Sequence, residues 1–310
     1  MTGLLGYGGC WGAINHADVL LMLGTDFPFS EFLPHKDVKI IQVDRTAAHL
    51  GRRAPLALGM IGDVKATVSA LLPMVEAKPS DKFLHSHLGR TEHFGKTLQH
   101  YVTKGPGLKP IRPEYLAAVL SELADDDALF FADTGTPVIW ASMASASLNA
   151  FGAQLAFPGQ QTIALCGDGG FTMLGLGDLL TQVQRKAPVV SIIFNNSMLD
   201  FVNIEQQEAG FVPFGTEFTN PDFSKAAEAM GAKGIRIEEP GDVRDGLAAA
   251  LAHKNGPVVV DVVVDKFALS RPARVPAETV KGFTLSLAKQ AVTGKMDDVI
   301  ASIEHNVRLL

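Results

Sequence analysis

Short runs of aliphatic and β-branched residues alternate with segments of helical spacing along most of this 310-residue chain. DVLLMLGTD (18–26) and VKIIQVD (38–44) read as strands that end in polar residues. DVKATVSALLPMV (63–75) sets Val64, Val68, Leu71 and Leu72 on one helical stripe. Residues 77–112 break this pattern. KPSDK, HSHLGRTEH and TKGPGLKPIRP are polar and punctuated by Pro and Gly, so they read as a connector, helical around 83–101. From residue 113 the alternation resumes, with helices expected at 113–123, 171–185, 222–230 and 241–253. Strands are expected at 128–132, 162–167, 189–195, 234–237 and 258–264, and two amphipathic helical segments follow Pro276. The expected fold class is α/β, with two doubly wound domains built on mostly parallel sheets. The boundaries fall at 1–76, connector 77–112, 113–275 and a helical tail 276–310.

Composition changes this picture little: 47% hydrophobic and 19% charged residues are those of a globular protein with sizeable cores. A net charge of −6 without a basic run argues against nucleic acid as a partner. Two cysteines far apart in sequence, Cys10 and Cys166, each in an apolar setting, read as reduced, buried thiols of a cytosolic protein. His85, His87, His93 and His100 are irregularly spaced in the polar connector and read as solvated surface.

The chemistry concentrates in CGDGGFTMLG (166–175), at the end of one apolar run, and FNNS (194–197), at the end of another. Open parallel sheets bind ligands beyond the carboxyl ends of their strands, and both motifs lie there. Gly167, Gly169 and Gly170 permit close backbone approach and offer N–H groups at a helix mouth, which suits phosphate oxygens. A carboxylate alone would repel a phosphate, so Asp168 makes sense with a divalent cation between them. Magnesium takes oxygen ligands, usually one or two carboxylates plus substrate phosphates. Asn196 can add an amide oxygen, and the turn through Met198 can add a main-chain carbonyl. One helix and one strand fill the 25 residues between GDG and NN, which returns the chain to the neighbouring strand tip.

GDG-x25-NN resembles the diphosphate and magnesium motif of thiamin-diphosphate enzymes. The flanking MTGLLGYGG, VLLMLGTDFP, IIQVD, FADTGTPVIWA, FNNSMLDFV, GPVVVDVVV and VKGFTLSLAKQAVTGKMDDVI resemble the pyruvate oxidase and pyruvate:quinone dehydrogenase group, in the same order. The resemblance implies Mg²⁺ held by Asp168, Asn196 and the Met198 carbonyl, with Gly169 and Gly170 facing the diphosphate and Asn195 left a structural role. It implies that Thr134, Gly135 and Thr136 border the coenzyme. It makes Met143, between Ser142 and Ala144, the wedge beneath its bend. Phe201, Val202 and Glu205 match positions lining the pyruvate pocket. FAD is implied in the first domain, although no G-x-G-x-x-G fingerprint occurs there. Its contacts would be Thr2, Gly3, Leu4 and Leu5, then Gly24, Thr25, Asp26, Phe27 and Pro28, and Asp44 at a strand end.

The reaction implied is oxidative decarboxylation of pyruvate, with electrons passing through the flavin to a quinone, or to oxygen in another branch. Val299, Ile300, Ile303 and Val307 form an apolar stripe that the resemblance makes a peripheral membrane contact. Three departures bear on activity. The chain is expected to lack the pyrimidine-binding domain that supplies the activating glutamate, so it would act only with a partner supplying that domain. The passage from Trp140 to Ala141 skips a stretch that the family uses for a strand. Asp200 stands where a small residue is usual. Alternatives are an acetolactate synthase-like carboligase, a non-catalytic cofactor-binding subunit, or a gene product without a role. A homo-oligomer is expected by resemblance.

Overall fold

The computed structural model describes residues 8–27, 30–34, 37–133, 135–137, 146–269 and 277–306. Thr2, Gly3, Leu4, Leu5, Pro28, Thr134, Ser142, Met143, Ala144 and Val307, and the junction of Trp140 with Ala141, lie outside those residues. The chain divides into two compact units, residues 1–96 with 271–274 and residues 97–270 with 275–310.

The first unit carries α1 (Cys10–His16) and three strands, β1 (Val19–Leu23), β2 (Lys39–Asp44) and β3 (Leu58–Ile61), with α2 (Val64–Leu71) following. All three strands are parallel, in the order β1-β2-β3. Its core is small: Met22, Leu33 and Ile40 are buried, with Leu20, Phe27, Ala54 and Leu56 packed on them. Asp63 caps α2 by accepting the Ala66 N–H at 2.9 Å, which satisfies one of the helix's free donors. The stripe expected on α2 is present but little covered, with Val68 and Leu71 exposed beside Leu72. The expected connector is one long helix, α3 (Lys82–Lys104), in which His87 is buried rather than solvated. Its ring stacks on His16, 5.7 Å away, and meets Phe83 edge-on, because Gly9 and Gly12 let α1 approach closely. Cys10 is half-buried, while Cys166 is fully enclosed.

The second unit is a five-stranded parallel sheet in the order β4-β5-β6-β8-β7. The strands are β4 (Leu129–Ala132), β5 (Thr162–Gly167), β6 (Val189–Asn195), β7 (Lys233–Ile237) and β8 (Val258–Val263). Near-continuous apolar runs in β5, β6 and β8 mark strands covered on both faces. On one face α4 (Pro113–Leu123) and α9 (Val243–Leu251) bury Leu116, Leu120 and Leu247 against Ile163, Leu165, Ile192 and Val260. On the other, α5 (Ala146–Ala156), the helical run 168–185 (α6) and α8 (Phe223–Ala229) pack on Ala164, Cys166, Ile193 and Val259. Each fully buried Leu or Ile contributes about 1.5–3 kcal/mol relative to exposure, so this double core holds the strand tips firmly.

α6 starts at Asp168, three residues before the expected start, runs through a π-helical turn (Phe171–Gly175) and continues over Leu176–Arg185. Gly175 is needed there, since a Cβ would lie 2.4 Å from the Phe171 ring. α7 (Asp200–Glu208) follows β6, and α10 (Ala277–Val292) packs along it. Lys289 donates to the Gly210 carbonyl at 2.8 Å, and a Cβ on Gly282 would sit 1.7 Å from the Glu208 carbonyl oxygen. α11 (Met296–Asn306) is anchored by Asn306, which accepts the Leu269 N–H at 2.9 Å. It is also held by His305, whose Nδ1 lies 2.8 Å from Asp265. Among the described residues no helix is long and apolar enough to cross a membrane.

Candidate functional site

In the parallel register Gly167 of β5 pairs with Phe194 of β6, so the residues after both strands leave the sheet side by side. Asp168, 2% exposed, opens α6. Its Oδ1 accepts the Gly169 N–H at 2.8 Å. Its Oδ2 accepts the Ser197 N–H at 2.6 Å and the Asn220 side-chain amide at 2.8 Å. Ser197 adopts a left-handed conformation (φ 57°), which turns its N–H toward Asp168. The same turn lets Met198 donate to Asn196 Oδ1 at 3.1 Å, a side-chain-closed turn that asparagine favours. The carboxylate at 168 and the turn at 196–198 therefore meet where two strand tips adjoin, and Asp168 and Asn196 line one cleft. Burial pushes the Asp168 carboxyl above its usual range, against hydrogen bonds that pull it down.

Two glycines here allow close approach within the chain. A Cβ on Gly170 would lie 1.5 Å from Asp133 Oδ2, and one on Gly169 would lie 2.7 Å from Leu199. Asp133 and Leu199 thus close over the start of α6, and the Gly169 N–H is occupied by Asp168 itself.

A cleft of about 490 Å³, open to solvent, begins at this junction. Asp168, Gly169, Gly170, Asn196 and Met198 are among its lining residues. Gly135 and Thr136, and Phe201 and Val202 of α7, line it as well. Glu205 lies one turn further along α7, exposed and away from the cleft lining. Asp200 is half-buried in the cleft. Burial pushes its carboxyl up to about 7; a hydrogen bond with Thr136 works against that rise, and the nearby Asp168 charge adds to it. Among the described residues no three His, Cys, Asp or Glu side chains cluster to hold a metal. The oxygens brought together are one carboxylate, one amide and the turn's main chain, a hard donor set of the kind magnesium takes.

The first unit treats its expected site residues differently. Gly24 takes a positive φ of 61° and donates to the Val43 carbonyl at 2.8 Å. Asp26 is held by Arg52 at 2.9 Å and Arg53 at 3.2 Å, and the two guanidinium groups outweigh burial to keep its carboxyl below the usual range. Asp44 accepts the Thr46 N–H at 2.7 Å and lies 3.3 Å from His49, which also hold it low. Phe27 packs on the small core, and Thr25 offers its carbonyl to buried Gln42.

Sequence reasoning gave Asn195 a structural role but missed the buried polar residues that it meets. Asn195 Nδ2 donates to Asp261 Oδ1 at 2.9 Å, and Asn195 Oδ1 accepts the Asn220 amide at 2.9 Å. Asp261, fully enclosed in β8, also accepts the Phe223 N–H at 3.0 Å and pairs with Arg236 of β7. The available signal was an acid inside VVVDVVV, since a carboxylate in a buried strand must find partners. Arg112 is a second case. It is buried over the Tyr101 ring at 4.3 Å and pairs with Glu114 at 2.7 Å and Asp265 at 3.2 Å.

Residues 131–262 match the C-terminal TPP binding domain of thiamine pyrophosphate enzymes, and residues 1–71 match the central domain of the same enzymes. The chain is 32% identical over 306 residues to YdaP of Bacillus subtilis, named as a thiamine pyrophosphate-containing protein, covering 93% of this chain and 52% of that one. It is 29% identical over 294 residues to a pyruvate oxidase of Lactiplantibacillus plantarum, covering 87% of this chain and 47% of the relative. It is also 29% identical over 306 residues to an acetolactate synthase of Mycobacterium bovis, covering 85% and 47%. The chain spans about half the length of the curated relatives it matches. With both domains matched in order, and Asp168 joined to the turn at Ser197 inside the second match, the chain belongs to the thiamine pyrophosphate enzymes, carrying their central and C-terminal TPP binding domains.

Proposed function

We propose that this chain provides the diphosphate-binding half of an enzyme that decarboxylates pyruvate oxidatively, using thiamin diphosphate, Mg²⁺ and FAD. One observation carries the reading: the Asp168 carboxylate and the Asn196–Met198 turn share one junction in the lining of a cleft. Asp168, Asn196 and the Met198 carbonyl would hold the cation, whose charge offsets the cost of ionising a buried carboxyl. When bound, the coenzyme supplies the carbon centre that accepts the electrons left as a 2-oxo acid loses CO₂. Phe201 and Val202 give the cleft an apolar stretch of lining for the substrate end of the coenzyme. Asp200, whose carboxyl burial pushes up to about 7, works against binding of an anionic ligand to the extent that it is ionised.

FAD is proposed for the first unit on the resemblance of its loops. The described acids there, Asp26 and Asp44, are already engaged by the chain's own donors. A quinone acceptor and a peripheral membrane contact complete the reading. Ile300 and Ile303, 45% and 44% exposed on α11, support such a contact. Equal identity to a pyruvate oxidase and an acetolactate synthase favours one second reading, a carboligase that condenses two pyruvates. The test is to purify the protein with thiamin diphosphate, Mg²⁺ and FAD, combine it with a partner that supplies the pyrimidine-binding domain, add pyruvate, and follow dye reduction and acetolactate in parallel. Dye reduction without acetolactate supports the oxidative reading. Acetolactate without flavin reduction supports the carboligase, and a protein that binds none of the three overturns both.

A further inference from the structure

Asp168 is held by more than its own turn. Asn220 lies in the loop before α8, far from Asp168 in sequence. Its amide nitrogen reaches Asp168 Oδ2 at 2.8 Å and Asn195 Oδ1 at 2.9 Å. Carboxylates at both ends fix the orientation of every amide between them. Asp261 accepts only, so Asn195 must turn its NH₂ toward it, at 2.9 Å. The Asn195 oxygen then faces Asn220, which must present NH₂ in return, and the second hydrogen of that NH₂ goes to Asp168. Asp261 is anchored in turn by Arg236 and the Phe223 N–H. The relay runs through the sheet from β7 to the tip of β5.

Building on the metal-diphosphate reading above, we propose that Asn220 is a positioning residue for the Asp168 carboxylate, fixed by the chain Asn195–Asp261–Arg236, and that it sets how tightly the site holds a divalent cation. Asn220 and the Ser197 N–H together occupy Oδ2 and pin the carboxylate in one orientation. Without Asn220, Oδ2 and the Asn195 oxygen each lose a donor, and the carboxylate gains freedom to turn. Groups that orient metal ligands typically govern affinity by about 10- to 100-fold.

The experiment titrates Mn²⁺ into the whole protein with saturating thiamin diphosphate, reading free Mn²⁺ by electron paramagnetic resonance. Asn220→Ala is expected to weaken Mn²⁺ binding by about ten-fold or more. Asp222→Ala, in the same loop but pointing at the α8 N-terminus, controls for loop damage: it should lower the melting temperature and leave Mn²⁺ affinity unchanged. Equal affinity in Asn220→Ala and the unaltered protein overturns the proposal, as does equal weakening in both variants. If Asn220→Ala does not fold, Asn220→Ser decides, since a single hydroxyl cannot bridge both acceptors. If neither folds, the side-chain amide resonance of Asn220 in the unaltered protein must shift when Mg²⁺ is added, and an unmoved resonance overturns the proposal. Failure of the unaltered protein to bind Mn²⁺ at all refutes the metal-diphosphate reading itself, a distinct result.

Discussion

Both units place acids at the carboxyl ends of parallel strands, yet they complete them differently. In the first unit Asp26 meets two arginines, and Asp44 meets a backbone N–H and a histidine. Both carboxyls are held low, so their charge is already balanced within the chain. In the second unit Asp168 is more deeply enclosed and receives only neutral donors, with no ion pair among the described residues. Its carboxyl is pushed up, so ionising it is costly until a positive charge arrives from outside. An acid's position at a strand tip is therefore a weak sign of a ligand site. Whether the chain supplies its counter-charge separates the two cases.

The strongest way to break this contrast is to exchange the two acids' fates. Asp168→Ala should reduce Mg²⁺-dependent thiamin diphosphate binding at least a hundred-fold by calorimetry, on the order of one lost charge-assisted ligand. Asp26→Ala should leave that binding unchanged, and a comparable loss there would erase the distinction. Next in size is Gly170→Ala, whose added methyl meets the Asp133 carboxylate. Overpacking of this kind costs about 1–3 kcal/mol, to be read as a lower denaturation midpoint, while the same change at Gly177, where space is open, should not destabilise.

A smaller effect concerns Asp222, which caps α8 and is held at about 2, chiefly by Ser224 and then by the Lys225 N–H. Its folded value lies below the unfolded one, so its contribution is present above about pH 4 and fades as pH falls toward 2. Asp222→Ala should cost about 1 kcal/mol at neutral pH and flatten that acid dependence. Urea melts across the pH range check both. The smallest effect is expected at Asp200. Asp200→Asn removes a charge from the cleft and should tighten thiamin diphosphate binding a few-fold; weaker binding would show that the carboxylate helps rather than hinders.

Much of the second unit was legible in the sequence, because β5, β6 and β8 are apolar runs with sharp polar ends. The Asp168 and Asn196 pair was readable for the same reason, since strand ends fix where side chains emerge. β3 was missed: LGMI is four residues with a glycine inside, too short for a period to show. The early start of α6 was missed because two glycines lower helix propensity, and what recovers the helix is packing of Asp133 and Leu199 over them. Burial of His87 depends on α1 approaching α3, a contact between residues 16 and 87 that no local pattern reveals. Asn220 was invisible for a related reason. A loop asparagine reads as a turn residue, and only the folded chain brings it to Asp168.

The central claim is the proposal that Asp168, which has no positive partner among the described residues, takes one from a divalent cation. The direct measurement is a calorimetric titration of the unaltered protein with thiamin diphosphate, first with Mg²⁺ and then with the metal chelated. Saturable binding that disappears on chelation is the predicted result. Binding of equal strength without the metal would contradict the account.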